Sequence, residues 1–282
     1  MARIACKSSV RKSRKRYNGG FDPLFTCIRT AVFMAIEFER KHQGRHYQVR
    51  SAGRTRRLYT DGVFHSQYNP RHPVTGSVWD LLFLPSQFYA PADIQRVLVL
   101  GVGGGAVIHM LNRFVQPDQV VGVELSPLHI QLAQRYFDLN YPNLELVQAN
   151  AVDWLIEYQG EPFDLIIDDL YFEAQGEPQR AIAADASWFD VLMEHLSEEG
   201  ALVMNFVNYR EWRNSAYFSA EFVREGFQSV YQFATPTCHN AVVGFLRKPT
   251  ETRMLRQALV QTPGLNPERA GCRLRYAVKK IA

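Results

Sequence analysis

The chain has 282 residues, 46% of them hydrophobic, and a formal net charge of +4. That is enough apolar material for one large domain with small additions, and no uncharged apolar run reaches the length of a spanning helix, so no membrane partner is expected. The four cysteines (Cys6, Cys27, Cys238, Cys272) stand apart without a CxxC pair, a pattern of reduced thiols rather than of a disulfide frame or a zinc site.

Charge is uneven along the chain. Residues 1–60 hold 15 Lys/Arg against 3 Asp/Glu, a net of +12, and the remainder carries −8. Residues 1–33 are read as a basic, disordered tail. Within it "RKSRKR" (Arg11 to Arg16) has the charge to meet nucleic acid, but no aromatics or binding motif accompany it, and a solvated tail is the favoured reading. The apolar stretch "PLFTCIRTAVFMAI" is interrupted by Arg29 and lacks a small-residue cleavage site, so a cytoplasmic protein is expected. Met34, just before the first patterned segment, is a candidate start.

Residues 34–92 read as an N-terminal β-hairpin region with a linking helix. "HYQVRS", "RTRRLYT" and "VFHSQYN" are short strands separated by Ala52-Gly53 and Asp61-Gly62, and Asp-Gly is a strong hairpin signal. Trp79, Phe83, Phe88 and Tyr89 suit either a pocket wall or a helix packed on the core. Residues 93–248 then alternate strands with helices. The strands are "RVLVLG" (96–101), "QVVGVE" (119–124), "LELVQA" (144–149), "FDLIIDD" (163–169), "ALVMNFV" (201–207), "FQSVYQFA" (227–234) and "AVVGFLRK" (241–248). "PLHIQLAQRYFDL" is a helix with Ser126 as N-cap and Pro127 in its first turn, and "ASWFDVLMEHLSEEG" is a helix ending on Gly200. Near-continuous apolar strands between helices predict an α/β, Rossmann-like, seven-stranded and mostly parallel sheet. Residues 249–282 read as a basic helical tail.

Gly101, Gly103 and Gly105 follow a buried strand and open a helix, where glycine permits positive φ and close approach to a ligand. No Gly-Lys-Ser/Thr follows, which excludes a P-loop. Glu124 ends the next strand, where a carboxylate can accept the hydroxyls of an adenosine ribose. The turn and the acid alone do not separate NAD from S-adenosylmethionine.

Five segments in order, "YTDGVFH" (59–65), "VLVLGVGGGAV" (97–107), "VVGVELSP" (120–127), "ANAVDWL" (149–155) and "FDLIIDDLYFE" (163–173), resemble the spermidine synthases, polyamine aminopropyltransferases of the class I S-adenosylmethionine-dependent methyltransferase fold. The resemblance runs from about residue 46 to residue 248. It implies S-adenosylmethionine or its decarboxylated form as co-substrate, bound by Gly101, Gly103, Gly105, Glu124, Asn150 and Ala151, with no metal. Asp169 would help deprotonate an attacking amine, and Asp80 and Tyr171 would face the acceptor. His65 is either a base or substrate contact at the mouth of the site or a structural histidine beside the hairpin. Asp168 is either a second functional acid or a strand-end cap.

Departures from the family pattern bear on the substrate. Gly104 stands where relatives have an acid, His65 where they have Gln, and Phe172 where they have a second acid, with Glu173 out of register. A diamine would lose carboxylate partners, and without an acid at position 104 the carboxylate of intact S-adenosylmethionine meets less repulsion. The expected function is therefore methyl or aminopropyl transfer to a small-molecule acceptor, with an amine in view. A non-catalytic adenosyl-binding protein and an NAD-dependent oxidoreductase are the other readings, a homodimer is open, and a nucleic-acid acceptor would give the basic arm a purpose.

Overall fold

The structure is a computed structural model that describes residues 34–174 and 177–282. The expected basic tail, with "RKSRKR", and the loop residue Gly176 lie outside the described residues. Four antiparallel strands come first: β1 (Ala35–His42), β2 (Arg45–Ala52), β3 (Thr55–Thr60) and β4 (Val63–Tyr68). The Asp61-Gly62 turn has φ of 51° and 83°, the double positive φ that an Asp-Gly hairpin requires. Sequence pattern starts this sheet at residue 46. The structure adds β1, a strand mostly exposed along its length. On β4, Leu58 pairs with Ser66 and Tyr59 with Phe64, so His65 is an extra residue that bulges from the ladder.

After α1 (Val78–Phe83), strands and helices alternate: β5 (Arg96–Leu100), α2 (Ala106–Phe114), β6 (Gln119–Glu124), α3 (Pro127–Tyr136), β7 (Leu144–Gln148), α4 (Ala151–Glu157) and β8 (Phe163–Asp168). Ser126 caps α3 through its side chain, which accepts from His129 N–H, with Pro127 at the helix start. An antiparallel hairpin, β9 (Tyr171–Ala174) and β10 (Glu177–Arg180), follows β8. The rest comprises α5 (Ala186–Glu194), β11 (Leu196–Phe206), α6 (Tyr209–Arg213), α7 (Glu221–Glu225), β12 (Ser229–Ala234), β13 (Ala241–Leu246), α8 (Thr252–Gln261) and β14 (Ala277–Lys280).

The large sheet has the order β14-β12-β13-β11-β8-β5-β6-β7. The five strands from β11 to β7 run parallel, while β13 is antiparallel to both of its neighbours. β5 is the switch point, because the chain steps to β6 on one side and later to β8 on the other. Apolar clusters cover both faces of the sheet, and a third joins Tyr47, Val49 and Leu58 of the N-terminal sheet to Leu128, Leu132 and Phe137. The mostly parallel α/β sheet is the predicted one, with two local corrections. α5 ends at Glu194 instead of Gly200, because Leu196 already pairs with Phe163 in the sheet. The C-terminal segment is helical only over Thr252–Gln261, and β14 pairs with β12 to add an eighth strand.

Candidate active site

The carboxyl ends of β5, β6, β7 and β8 open into one cavity of about 530 Å³, roofed by the N-terminal sheet and the β9–β10 hairpin. Its walls include His65, Gly101, Gly103, Glu124, Asn150, Ala151, Asp169 and Tyr171, so eight of the ten residues singled out in the sequence meet there. Gly101, Gly103 and Gly105 all have positive φ. A Cβ on Gly101 would run into the Asp169 carbonyl, and one on Gly103 would sit 3.0 Å from the His65 carbonyl oxygen. The turn therefore needs glycine both for its backbone conformation and for close packing.

Two of the ten are placed elsewhere. Gly105 does not line the cavity: it precedes α2 with φ 78°, and a Cβ there would strike the Leu139 side chain, so its place is in the turn. Asp80 is buried in α1 and turned away. Its Oδ1 accepts from the Thr75 N–H (2.8 Å) and hydroxyl (2.7 Å), and its Oδ2 accepts from Gly76 N–H (2.7 Å). Burial outweighs these bonds and raises its carboxyl to about 6. Asp80 fastens the loop before α1, while its neighbour Trp79 reaches the cavity wall and Phe83, Phe88 and Tyr89 pack in the core. Gly104 also faces inward, since a Cβ there would lie 2.8 Å from Ser66 Cβ and 3.0 Å from the Phe137 ring. The absence of an acid at Gly104 thus leaves no added room in the cavity.

Glu124 is gripped at both oxygens. Oε2 accepts from Val102 N–H (3.1 Å) and Gly103 N–H (2.9 Å), and Oε1 accepts from Ser126 N–H (2.9 Å) with His129 Nδ1 at 3.5 Å. Burial alone would raise this carboxyl, but His129 and the backbone amides together hold it at about 2. It is ionised throughout the physiological range. Asn150 caps α4, and its Oδ1 accepts from Val152 N–H (3.0 Å), so its side-chain carbonyl is already in use by the helix.

The paired acids at the end of β8 separate into two roles. Asp168 is fully buried, with Oδ2 accepting from Arg180 Nη2 (2.8 Å) and Trp188 Nε1 (2.8 Å). Asp169 faces the cavity. Its Oδ1 accepts from Asn205 Nδ2 (2.7 Å), whose Oδ1 in turn accepts from Asn240 Nδ2 (3.0 Å). Crowding by protein raises Asp169 to about 6 against the lowering bond from Asn205. The Tyr171 hydroxyl donates to the Asn205 carbonyl (2.9 Å), and burial pushes that phenol far above its usual range. His65, aimed inward by its bulge, has a buried Nε2 without a partner among the described residues. Burial, then the neighbouring His129, lowers it to about 4, so it is a neutral imidazole near pH 7.

Of the wall residues that the sequence reading did not single out, His129, Asn205 and Asn240 bear on the argument. Asn205 left a signal as the polar residue late in the apolar strand "ALVMNFV". His129 and Asn240 left none. Among the described residues no group of three or more His, Cys, Asp or Glu could hold a metal ion, and no helix is long and apolar enough to cross a membrane.

A family described as a methyltransferase domain matches residues 97–193. Polyamine aminopropyltransferase 2 of Caldanaerobacter subterraneus subsp. tengcongensis is 27% identical over 128 residues, which is 44% of this chain and 42% of that protein. The chain thus spans under half the length of this curated relative. Among solved structures, a probable spermidine synthase from Corynebacterium glutamicum superposes with a TM-score of 0.64 at 15% identity, covering 85% of this chain and 89% of that one. Human methyltransferase-like protein 13 in complex with SAH gives 0.55 at 16% identity, covering 64% and 87%. The chain has the spermidine-synthase-like class I methyltransferase fold.

Proposed function

We propose that this chain is an S-adenosylmethionine-type transferase that alkylates a small-molecule acceptor whose nucleophile must first lose a proton, an amine above all. The observation that carries this reading is Asp169, a carboxyl raised to about 6 on the wall of a cavity that Glu124 shares. A base poised just below neutrality is ionised when needed and still takes a proton readily. When bound, the sulfonium co-substrate supplies an activated carbon and a thioether leaving group. The chain's own residues then have the work of alignment. Gly101 and Gly103 let the backbone close on the ligand, Glu124 accepts the ribose hydroxyls, and Asn150 and Ala151 border the base. Asp169 receives the acceptor's proton, neutral His65 offers a hydrogen bond beside it, and Tyr171 fixes the hairpin over them.

Methyl transfer from the intact co-substrate is the first reading. Among the described wall residues, Asp169 is the one carboxylate available to an ammonium once Glu124 is engaged and Asp80 is turned away. Aminopropyl transfer is the second, favoured by the match to an aminopropyltransferase. Calorimetric titration with S-adenosylmethionine and with its decarboxylated form tests both. Tighter binding of the intact form directs the search to methyl acceptors, and tighter binding of the other directs it to diamines. Saturable binding of neither, in protein cleared of carried-over ligand, sinks the reading.

A further inference from the structure

The ribose-side carboxylate is part of a longer line of contacts. On the far side of the His129 imidazole from Glu124, Nε2 lies 2.8 Å from the hydroxyl of Thr60, a residue with no exposed surface on β3. The Thr60 hydroxyl and Nε2 share one hydrogen bond, while Nδ1 faces the Glu124 carboxylate at 3.5 Å. The ring is boxed in. Tyr47 meets it edge-on at 5.6 Å and 78°, and the His65 ring lies 5.2 Å away. Three separate elements therefore meet at one imidazole: β3 of the N-terminal sheet, α3, and the end of β6.

We propose that His129 is the positioning residue of Glu124, and that Thr60, through it, makes the N-terminal sheet part of ribose recognition. The inference rests on the reading of Glu124 as the ribose acid. Backbone amides take two acceptor directions of Oε2 and one of Oε1, and the open side of Oε1 is bordered by His129 Nδ1 at 3.5 Å, an ion-pair contact longer than an ordinary hydrogen bond. A carboxylate has about four acceptor directions, and fixing its plane decides whether the remaining lone-pair space faces a vicinal diol. His129 is also the largest influence that keeps this buried acid charged. Without it the carboxylate is a weaker and less oriented acceptor.

The test compares adenosine with 2′,3′-dideoxyadenosine, titrated into the full chain and into His129→Leu, His129→Gln and Thr60→Val. The unmodified protein should prefer adenosine. His129→Leu should weaken adenosine by about tenfold, the size of one lost hydrogen bond, and leave the dideoxy compound unchanged. His129→Gln, which retains an amide donor, should lose less. Thr60→Val is close in shape and lies outside the cavity wall, so a loss of adenosine there with the dideoxy compound unchanged points to His129, whereas a shift of the wall through its sheet partner Tyr47 would weaken both nucleosides. Equal losses for the two nucleosides, or full retention of the adenosine preference in His129→Leu and Thr60→Val, overturn the proposal. No preference for adenosine in the unmodified protein overturns instead the ribose role of Glu124.

Discussion

Asp168 and Asp169 are adjacent in the chain, yet they belong to two regions with opposite chemistry. Behind the end of β8, Asp168 meets a guanidinium and an indole N–H and ties the β10 residue Arg180 to the sheet. In front of it, Asp169 has only neutral amide donors, Asn205 and then Asn240, and an open side toward the cavity. A buried acid given a cation is committed to structure. Asp169, with an amide donor alone, has its carboxyl raised to about 6 by burial, against the lowering bond from Asn205.

Substitution of each acid by its amide should separate the regions sharply. Asp168→Asn leaves Arg180, with a side chain 2% exposed, buried without a counter-charge. The expected cost is about 3–5 kcal/mol, seen as a melting temperature lower by roughly 10 °C. Asp169→Asn should fold normally and lose about a hundredfold in kcat. Its melting temperature at pH 7.5 should equal or exceed that of the unmodified protein. A carboxyl raised in the folded state favours folding less as pH climbs from the ordinary aspartate range through 6, and the amide escapes that loss. A large stability loss in Asp169→Asn, or normal melting in Asp168→Asn, would reverse the assignment of the two regions.

The next effect is in the pH profile. The rate should rise with pH through a limb near 6 as Asp169 ionises. Asn205→Ala removes the bond that favours the ionised form, so the limb should move upward by roughly one unit while the plateau changes little. The backbone carbonyl of Asn205, which Tyr171 and Arg180 use, stays in place. A limb that does not move in Asn205→Ala would mean that another group sets it.

What the sequence revealed follows from how local each feature is. The strands β5, β6 and β8 are apolar runs closed by Gly101, Glu124 and Asp168-Asp169, so the carboxyl edge of the sheet was legible, as was the Asp61-Gly62 turn. β1 and β14 were not, because both are edge strands with mostly exposed side chains, held by pairing with β2 and β12. Asp80 was misplaced because its partners are loop amides at Thr75 and Gly76, whose direction no residue type announces. The division between Asp168 and Asp169 depends on Arg180 and Trp188, and the placing of Glu124 on His129 and Thr60. These partners join only when distant segments pack.

The smallest expected effect concerns how the hairpin is moored. The Asn205 carbonyl accepts from the Tyr171 hydroxyl (2.9 Å) and from Arg180 Nη1 (2.7 Å), so β9 and β10 are tethered to one atom at the end of β11. Tyr171→Phe removes one tether and leaves the other, with the Asp168–Arg180 ion pair intact. A neutral hydrogen bond is worth about 1 kcal/mol net, and the surviving guanidinium limits the hairpin's freedom, so melting should shift by no more than a few degrees. Phe172 and Pro178, on the same hairpin, line the cavity. The loss should therefore appear as a KM for the acceptor raised about threefold, within the worth of that single bond, with kcat nearly unchanged. A fall in kcat comparable to that of Asp169→Asn would instead place the Tyr171 hydroxyl in the chemistry, and the line between the structural and the reactive region would then run behind Tyr171 rather than in front of it.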